Sequence, residues 1–373
     1  MNCEVEFLAV GESSRAGDAI VVRYGTEDAY ELIVVDGGTE ATGETLVAHL
    51  GAYFPGKAIQ HVVLTHCDND HASGLRELLR KCAVANLWMH IPWLLAEDAI
   101  SLFDDKTISA AGLREKLRAE YPILEEIVNL AVAQGTKILY PFAGTTVGPF
   151  TVLSPNRPRY LYLLPQFNHS LDGTPGPDKV AIEQQDMWIG KSDQGAFAKL
   201  AELLYAKAQE WVAESWAHER LKDGGVTSAN NESSVVLYAN TGTQRVLLTG
   251  DAGLRALWWS IDYAQNKGLP LQQFSFVQIP HHGSRRNVGP TVLDVLLGPK
   301  LPAPTNSFSA FVSAPKDDSK HPRLMVTNAF MRRGARVIAT QGTNKIFYGG
   351  FHARQGYSTA EPMAFATQVE EYT

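Results

Sequence analysis

The stretch Gln60-His61-Val62-Val63-Leu64-Thr65-His66-Cys67-Asp68-Asn69-Asp70-His71 decides how this chain is read. Residues 60–65 are apolar and β-branched, the pattern of a buried strand. The strand delivers the chain abruptly to four potential metal ligands: His66, Asp68, Asp70 and His71. Positions 66, 68 and 70 of an extended segment point to one side. His71 then enters the first turn of a helix expected over 72–82, with Leu75, Leu78 and Leu79 on one face. Carboxylates packed this closely repel one another unless cations sit among them. A solvated acidic loop is the alternative, and it leaves the apolar strand leading into it unexplained.

Outward from this point the chain alternates strands, turns and helices. Residues 4–10, 18–24 and 30–35 read as strands, the third ending at Asp36-Gly37-Gly38, and 42–54 as an amphipathic helix. Residues 86–92 read as a strand, 93–135 as a helix-rich insertion, and 136–142 and 150–153 as further strands. Residues 156–229 are expected to be a second insertion and a candidate lid, built from an extended Pro/Gly/Asn/Asp-rich loop over 156–193 and a helix over 195–222. Strand, helix and strand signals then return. Residues 234–239 and 244–248 form a hairpin, 252–266 a helix and 274–279 a strand. A strand over 309–313, a helix over 322–333 and a strand over 335–340 follow. The expectation is one domain over 1–373 with two similar α/β halves.

Two of these later strands end on further candidates. Val246-Leu247-Leu248 leads into Thr249-Gly250-Asp251, where a carboxylate suits a bridge between two metals and Gly250 permits close backbone approach. The alternative for Asp251 is a cap on the following helix. The strand 274–279 leads into Pro280-His281-His282-Gly283. Adjacent imidazoles point in different directions, so one suits a metal and the other a substrate. Ser284, Arg285 and Arg286 follow; arginines there suit a phosphate, and a solvated loop is the equal alternative. Asp36 is placed to orient a metal ligand from behind, or is simple turn chemistry. His321, before Pro322, suits an acid or a phosphate contact, or lies in a helix cap region. His49, His61, His90, His169, His218 and His352 read as structural.

The composition narrows the function classes. With 373 residues, 45% hydrophobic and 20% charged, the chain can bury a sizeable core. A net charge of −7 supplies no overall positive field, so a nucleic acid would have to be held by local cations or metals. Three cysteines, Cys3, Cys67 and Cys82, are too few for a disulfide framework and point to a reducing compartment. The N-terminus shows no secretory pattern and no apolar run spans a bilayer. A cytoplasmic protein without membrane contact is expected.

Together these motifs resemble the metallo-β-lactamase fold superfamily, whose hallmark is His-x-His-x-Asp-His after a strand. Here Asp68 stands at the third position. That variant is similar to the hydrolase domain of ComEC-type competence proteins and related phosphorylcholine esterases. Val10-Gly11, Gly17-Asp18-Ala19-Ile20, Val35-Asp36-Gly37-Gly38, Leu153-Ser154-Pro155, Asn231-Glu232-Ser233-Ser234, Thr249-Gly250-Asp251, Pro280-His281-His282-Gly283-Ser284 and His321-Pro322 follow in order over about residues 4–345.

The resemblance implies a four-layer αββα sandwich with helical insertions and two divalent ions, Zn²⁺ or Mn²⁺, at one edge. Carried over, His66 and Asp68 serve one metal; Asp70, His71 and one of His281/His282 serve the other; Asp251 bridges them. Asn230 and Asn231 stand where many members place another histidine ligand, which makes the site richer in carboxylate and favours Mn²⁺. The implied function is a metal-dependent hydrolase using a metal-activated water, first of all a phosphodiesterase or nuclease. In that reading Asp70 orients the water, and His321 or the unligated histidine of the 281/282 pair serves the leaving oxygen. Arg285, Arg286 and Ser284 would contact the substrate. The rivals are a small-molecule phosphoester or lactone hydrolase, and a regulatory subunit that docks a partner ATPase or sensor through the helical insertions.

Overall fold

The computed structural model describes residues 1–11, 16–167 and 211–372. Strands β1 (Asn2–Phe7), β2 (Ala19–Gly25), β3 (Tyr30–Gly37), β4 (Ile59–Val63), β5 (Val84–Trp88) and β6 (Lys137–Leu139) form one sheet. Strands β7 (Thr146–Val147), β8 (Phe150–Ser154), β10 (Val236–Asn240), β11 (Arg245–Leu248), β12 (Phe276–Gln278), β13 (Phe308–Val312) and β14 (Ala335–Ala339) form the second. Strand β15 (Lys345–Phe347) crosses back to the first sheet, giving the orders β15-β1-β2-β3-β4-β5-β6 and β14-β13-β12-β11-β10-β8-β7. A separate pair joins β9 (Trp211–Ala213) to β16 (Gln368–Glu370).

Three apolar layers fill the spaces between four structural ones. Ile20, Val22, Ile33 and Val35 face Val152, Leu237, Leu248, Phe276 and Phe311 across the inter-sheet space. The alternate residues Val21, Val34 and Val62 face outward under α1 (Glu40–Tyr53), α3 (Leu75–Lys81) and α6 (Pro122–Gln134), through Leu46, Leu78 and Ile127. On the other side Val277, Val312 and Val337 pack under α9 (Leu254–Asn266), α10 (Pro290–Leu297) and α11 (Leu324–Arg332). Strands buried on both faces read as continuous apolar runs, as these do. The result is the expected four-layer αββα sandwich.

Most elements fall within a few residues of their expected places. The second insertion differs. Its first residues form a helix, α7 (Arg157–Leu163), where a loop was expected. The expected helix over 195–222 does not run through 211–222: Trp211–Ala213 is a strand, because its backbone pairs with the chain's last strand. Residues 168–210, including His169 and the rest of that expected helix, lie outside the described residues. Helix α10 gave no expectation; its apolar Val292, Leu293 and Leu296 seal the second sheet.

Both sheets present the carboxyl ends of parallel strands at the same edge. Strand β3 runs parallel to β4, and β11 parallel to β12. Ligands collect at such edges in open α/β sheets. Close packing there depends on glycine: a Cβ on Gly74 would lie 1.9 Å from the Gly37 carbonyl oxygen, and one on Gly17 2.2 Å from that of Asp70.

Candidate metal centre

Asp251 stands at the centre of the edge. Its Oδ2 lies 3.9 Å from Nε2 of His66, 3.4 Å from that of His71, 3.6 Å from that of His281 and 3.8 Å from that of His282. The histidines come from the ends of β4 and β12, on opposite sheets, and Asp251 from the end of β11. Gly250 has φ +51°, and a Cβ there would meet the Thr65 side chain at 3.0 Å, so this turn accepts only glycine without strain. His281 and His282 are both left-handed, with φ of 46° and 54°. That unusual turn aims two adjacent imidazoles at one carboxylate.

Hydrogen bonds from behind fix which ring nitrogen faces inward. Asp36, fully buried, accepts from His71 Nδ1 at 2.8 Å, from Thr65 N at 2.7 Å and from Thr65 Oγ1 at 2.6 Å. The Thr65 hydroxyl in turn accepts from His66 Nδ1 at 3.0 Å. Asn287 Oδ1 accepts from His281 Nδ1 at 2.8 Å, while its amide donates to the Asp251 carbonyl. Asp36 fixes a proton on His71 Nδ1 and, through Thr65, on His66 Nδ1, so the neutral rings would turn their Nε2 lone pairs to a cation. Asp68 Oδ2 lies 3.5 Å from His66 Nε2, and Asn230 donates to its other oxygen at 2.7 Å.

The donor atoms fit divalent cations. Nε2 of His66, His71 and His282 and Oδ1 of Asp251 are buried without a hydrogen-bond partner among the described residues. Buried polar atoms in that state are costly unless something fills the space between them. Four trios among the described residues have ligand atoms within 4.8 Å of one another, among them His66, His71 and Asp251, and Asp70, His71 and His282. His282 thus groups with Asp70 and His71, whereas the side chain of His281 is 31% exposed and faces the opening.

The electrostatics agree with a site built for positive charge. Burial opposes ionisation of Asp251, but His71, His281 and His282 outweigh it and hold the carboxyl well below its usual range. Burial likewise opposes protonation of His71, yet Asp251 and Asp36 raise it well above the ordinary imidazole value. Burial drives His282 down to about 4, which keeps it neutral. Protons on His71 are the charges that cations would displace.

Two residues outside the expected site belong to it. Asp18 is buried, its ligand oxygen within 4.8 Å of those of Asp251 and His282, and burial pushes its carboxyl up to about 6. Gln278 donates to Asp18 at 2.7 Å and accepts from the N–H groups of Thr249 and Gly250 at 2.9 and 3.1 Å. Its signal in the sequence is the lone amide in the apolar run 274–279. Cys67 falls in none of these trios, and burial, with Asp68 beside it, raises its thiol well above the usual value.

The expected substrate contacts separate. Arg285 donates to the Glu371 carbonyl at 2.6 Å and lies 4.6 Å over the Tyr372 ring, so it serves the C-terminal segment. Arg286 is exposed, and its N–H donates to the buried Ser284 hydroxyl. His321 Nδ1 engages Asp318 Oδ2 at 3.0 Å, and the ring is close enough to His281 to feel its charge.

A His/Asp cluster whose ligand atoms could hold a metal ion thus sits between the carboxyl edges of the two sheets. Residues 15–152 match the family model described as "Metallo-beta-lactamase superfamily". No curated protein matches the chain. Among solved structures it is similar to the metallo-beta-lactamase fold protein YhfI from Bacillus subtilis, at 10% identity over 93% of this chain and 100% of that one, TM-score 0.41. It is similar to AidC, a dizinc quorum-quenching lactonase, at 14% identity over 63% of this chain and 56% of that one, TM-score 0.28. It is also similar to a long form RNase Z from yeast, at 10% identity over 98% of this chain and 40% of that one, TM-score 0.32. The superfamily consists largely of metal-dependent hydrolases. Among the described residues no helix is long and apolar enough to cross a membrane.

Proposed function

We propose that this chain is a metal-dependent phosphodiesterase, with nucleic acid as the first substrate class. The observation that carries the reading is the convergence of four imidazole Nε2 atoms on Asp251 Oδ2, all at 3.4–3.9 Å, with Asp68 and Asp70 beside them. His66, Asp68 and Asp251 would hold one divalent ion, and Asp70, His71, His282 and Asp251 would surround the other. Bound ions would supply acidity to water and charge to stabilise a phosphoryl oxygen. The carboxylate content favours Mn²⁺ beside Zn²⁺.

The chain's own residues supply the rest. Asp36, directly and through Thr65, holds His71 and His66 in the tautomer that faces the cluster. Asn287 does the same for His281 while anchoring the Asp251 backbone. Asp70, half-buried at the start of α2 (Asn69–Ala72), would orient water. With Nδ1 engaged by Asp318, His321 presents Nε2 as the nitrogen that takes a proton and returns it to the leaving oxygen.

The test is turnover of bis-p-nitrophenyl phosphate, single-stranded DNA and RNA with Mn²⁺ or Zn²⁺, alongside a homoserine lactone. Phosphodiester cleavage that disappears in the double variant Asp70→Ala, His71→Ala supports the reading. Lactone turnover alone would make it a small-molecule hydrolase. A purified protein that takes up no metal would make it a binding module.

A further inference from the structure

Asp18 is buried at the entry to β2, and its place is fixed from two sides. One carboxylate oxygen, Oδ2, accepts from the Gln278 side-chain amide at 2.7 Å. That amide cannot turn away, because its own oxygen accepts from the N–H groups of Thr249 and Gly250 at 2.9 and 3.1 Å. On the chain side Gly17 packs against the backbone of Asp70, where a Cβ would lie 2.2 Å from the carbonyl oxygen. The pairing of β2 with β3 slips between Ala19 and Ile20, opposite the extra residue Asp36, whose φ is 58°. Such a bulge re-aims side chains. Here it accompanies Asp18 and Asp36 to the metal edge, with ligand oxygens within 4.8 Å of each other.

The other oxygen, Asp18 Oδ1, has no hydrogen-bond partner among the described residues. His71 Nδ1, 4.0 Å from Oδ2, is committed to Asp36. The Ser313 hydroxyl lies close but outside hydrogen-bonding geometry. Asp251 Oδ1 and both ring nitrogens of His282 are likewise buried without a partner. Asp18, Asp251 and His282 have ligand atoms within 4.8 Å of one another, and the three residues are 1%, 3% and 5% exposed. Two enclosed carboxylates this close, each with an unpaired oxygen, repel each other until a cation lies between them.

We propose that Asp18 is a further metal ligand, which joins Asp251 and His282 on one ion and makes that position selective for Mn²⁺ over Zn²⁺. The proposal rests on the metal centre of the reading above and holds whichever ester is cleaved. His282 is shared with the trio that contains Asp70 and His71. Asp18, Asp70, His71, Asp251 and His282 together offer five donors, three of them carboxylates. Five donors and a water complete an octahedron, which suits Mn²⁺, whereas Zn²⁺ is satisfied by four and takes nitrogen readily. Without Asp18 four protein donors remain, and the advantage of Mn²⁺ goes with it.

The experiment titrates the metal-free full chain with Mn²⁺ and, separately, with Zn²⁺, each in competition with a fluorescent chelator. Asp18→Asn keeps an acceptor for Gln278 and removes the charge. It is expected to weaken one Mn²⁺ equivalent about a hundredfold, the upper end of what residues supporting a metal site are worth, and Zn²⁺ by no more than about threefold. Asp262→Asn, on the outer face of α9, should change neither. Unchanged Mn²⁺ affinity in a folded Asp18→Asn variant, or an equal loss for both metals, overturns the proposal and leaves the metal centre intact. A wild-type chain that takes up neither metal overturns the metal centre and the proposal with it. Should Asp18→Asn fail to fold, anomalous diffraction from Mn²⁺-loaded wild-type crystals decides. An ion bonded directly to Asp18 supports the proposal, and ions that bond Asp251 and His282 but not Asp18 overturn it.

Discussion

Asp36 Oδ2 lies 2.8 Å from Nδ1 of His71, and both side chains are fully buried. The same carboxylate holds Thr65, whose hydroxyl holds His66. One residue at the end of β3 thus sets the orientation of two imidazoles at the end of β4.

Replacing Asp36 with Asn keeps the shape but puts an N–H donor opposite the Nδ1–H of His71, which favours the wrong tautomer. Partners of metal-bound histidines are worth roughly 10–100-fold in metal affinity. Chelator competition on Asp36→Asn should show a loss of that size for Mn²⁺ and Zn²⁺. Wild-type affinity would show that His71 needs no support.

Asn230 should act on one ion more than the other. It fixes Asp68 at 2.7 Å, and Asp68 approaches His66 and not His282. In a two-step metal titration, Asn230→Ala is expected to weaken one equivalent about tenfold and leave the other within twofold. Equal weakening of both would mean that Asn230 supports the fold at large.

Gln278→Leu tests the bridge between the sheets. The variant strands the buried N–H groups of Thr249 and Gly250 and removes the donor to Asp18. Each unpaired buried group costs about 1–3 kcal/mol, so the variant should lose about 3 kcal/mol in chemical denaturation. A loss under about 1 kcal/mol would show that water replaces the amide.

His90 should impose a pH slope on stability. Burial holds its imidazole down at about 3, against 6.5 in the unfolded chain, and its Nε2 has no hydrogen-bond partner among the described residues. As pH falls below 6.5 the unfolded state takes a proton that the folded state refuses. Stability therefore falls from pH 6.5 towards pH 3, by up to about 1.4 kcal/mol per unit. His90→Phe retains a ring beside Tyr160, 4.3 Å away, and removes the titration. Denaturation curves at pH 7 and pH 5 should differ less for the variant than for wild type. An equal difference would assign the slope to other groups.

The candidate site was legible wherever an apolar strand ran straight into polar residues. His66 to His71, Asp251 and His281-His282 all share that signature, and strand ends of parallel sheets converge by construction. Asp18 stands before its strand, so the same signature passes over it; it reaches the cluster because β2 runs antiparallel to β3. Arg285 looks like a free cation in the sequence, and what occupies it is a carbonyl and an aromatic ring from residues 371 and 372.

The sequence by itself determined the layers and the ligand types. Alternating burial needs only local periodicity, and a cluster of histidines and aspartates declares its chemistry whatever the fold. The tertiary structure decided which nitrogen of each imidazole faces inward, that His282 groups with Asp70 and His71, and that Arg285 is held by Glu371 and Tyr372. Those are properties of hydrogen bonds and ion pairs between residues 29 to 260 positions apart, as in Asp36 with Thr65 and Asp18 with Gln278, and no local pattern encodes them.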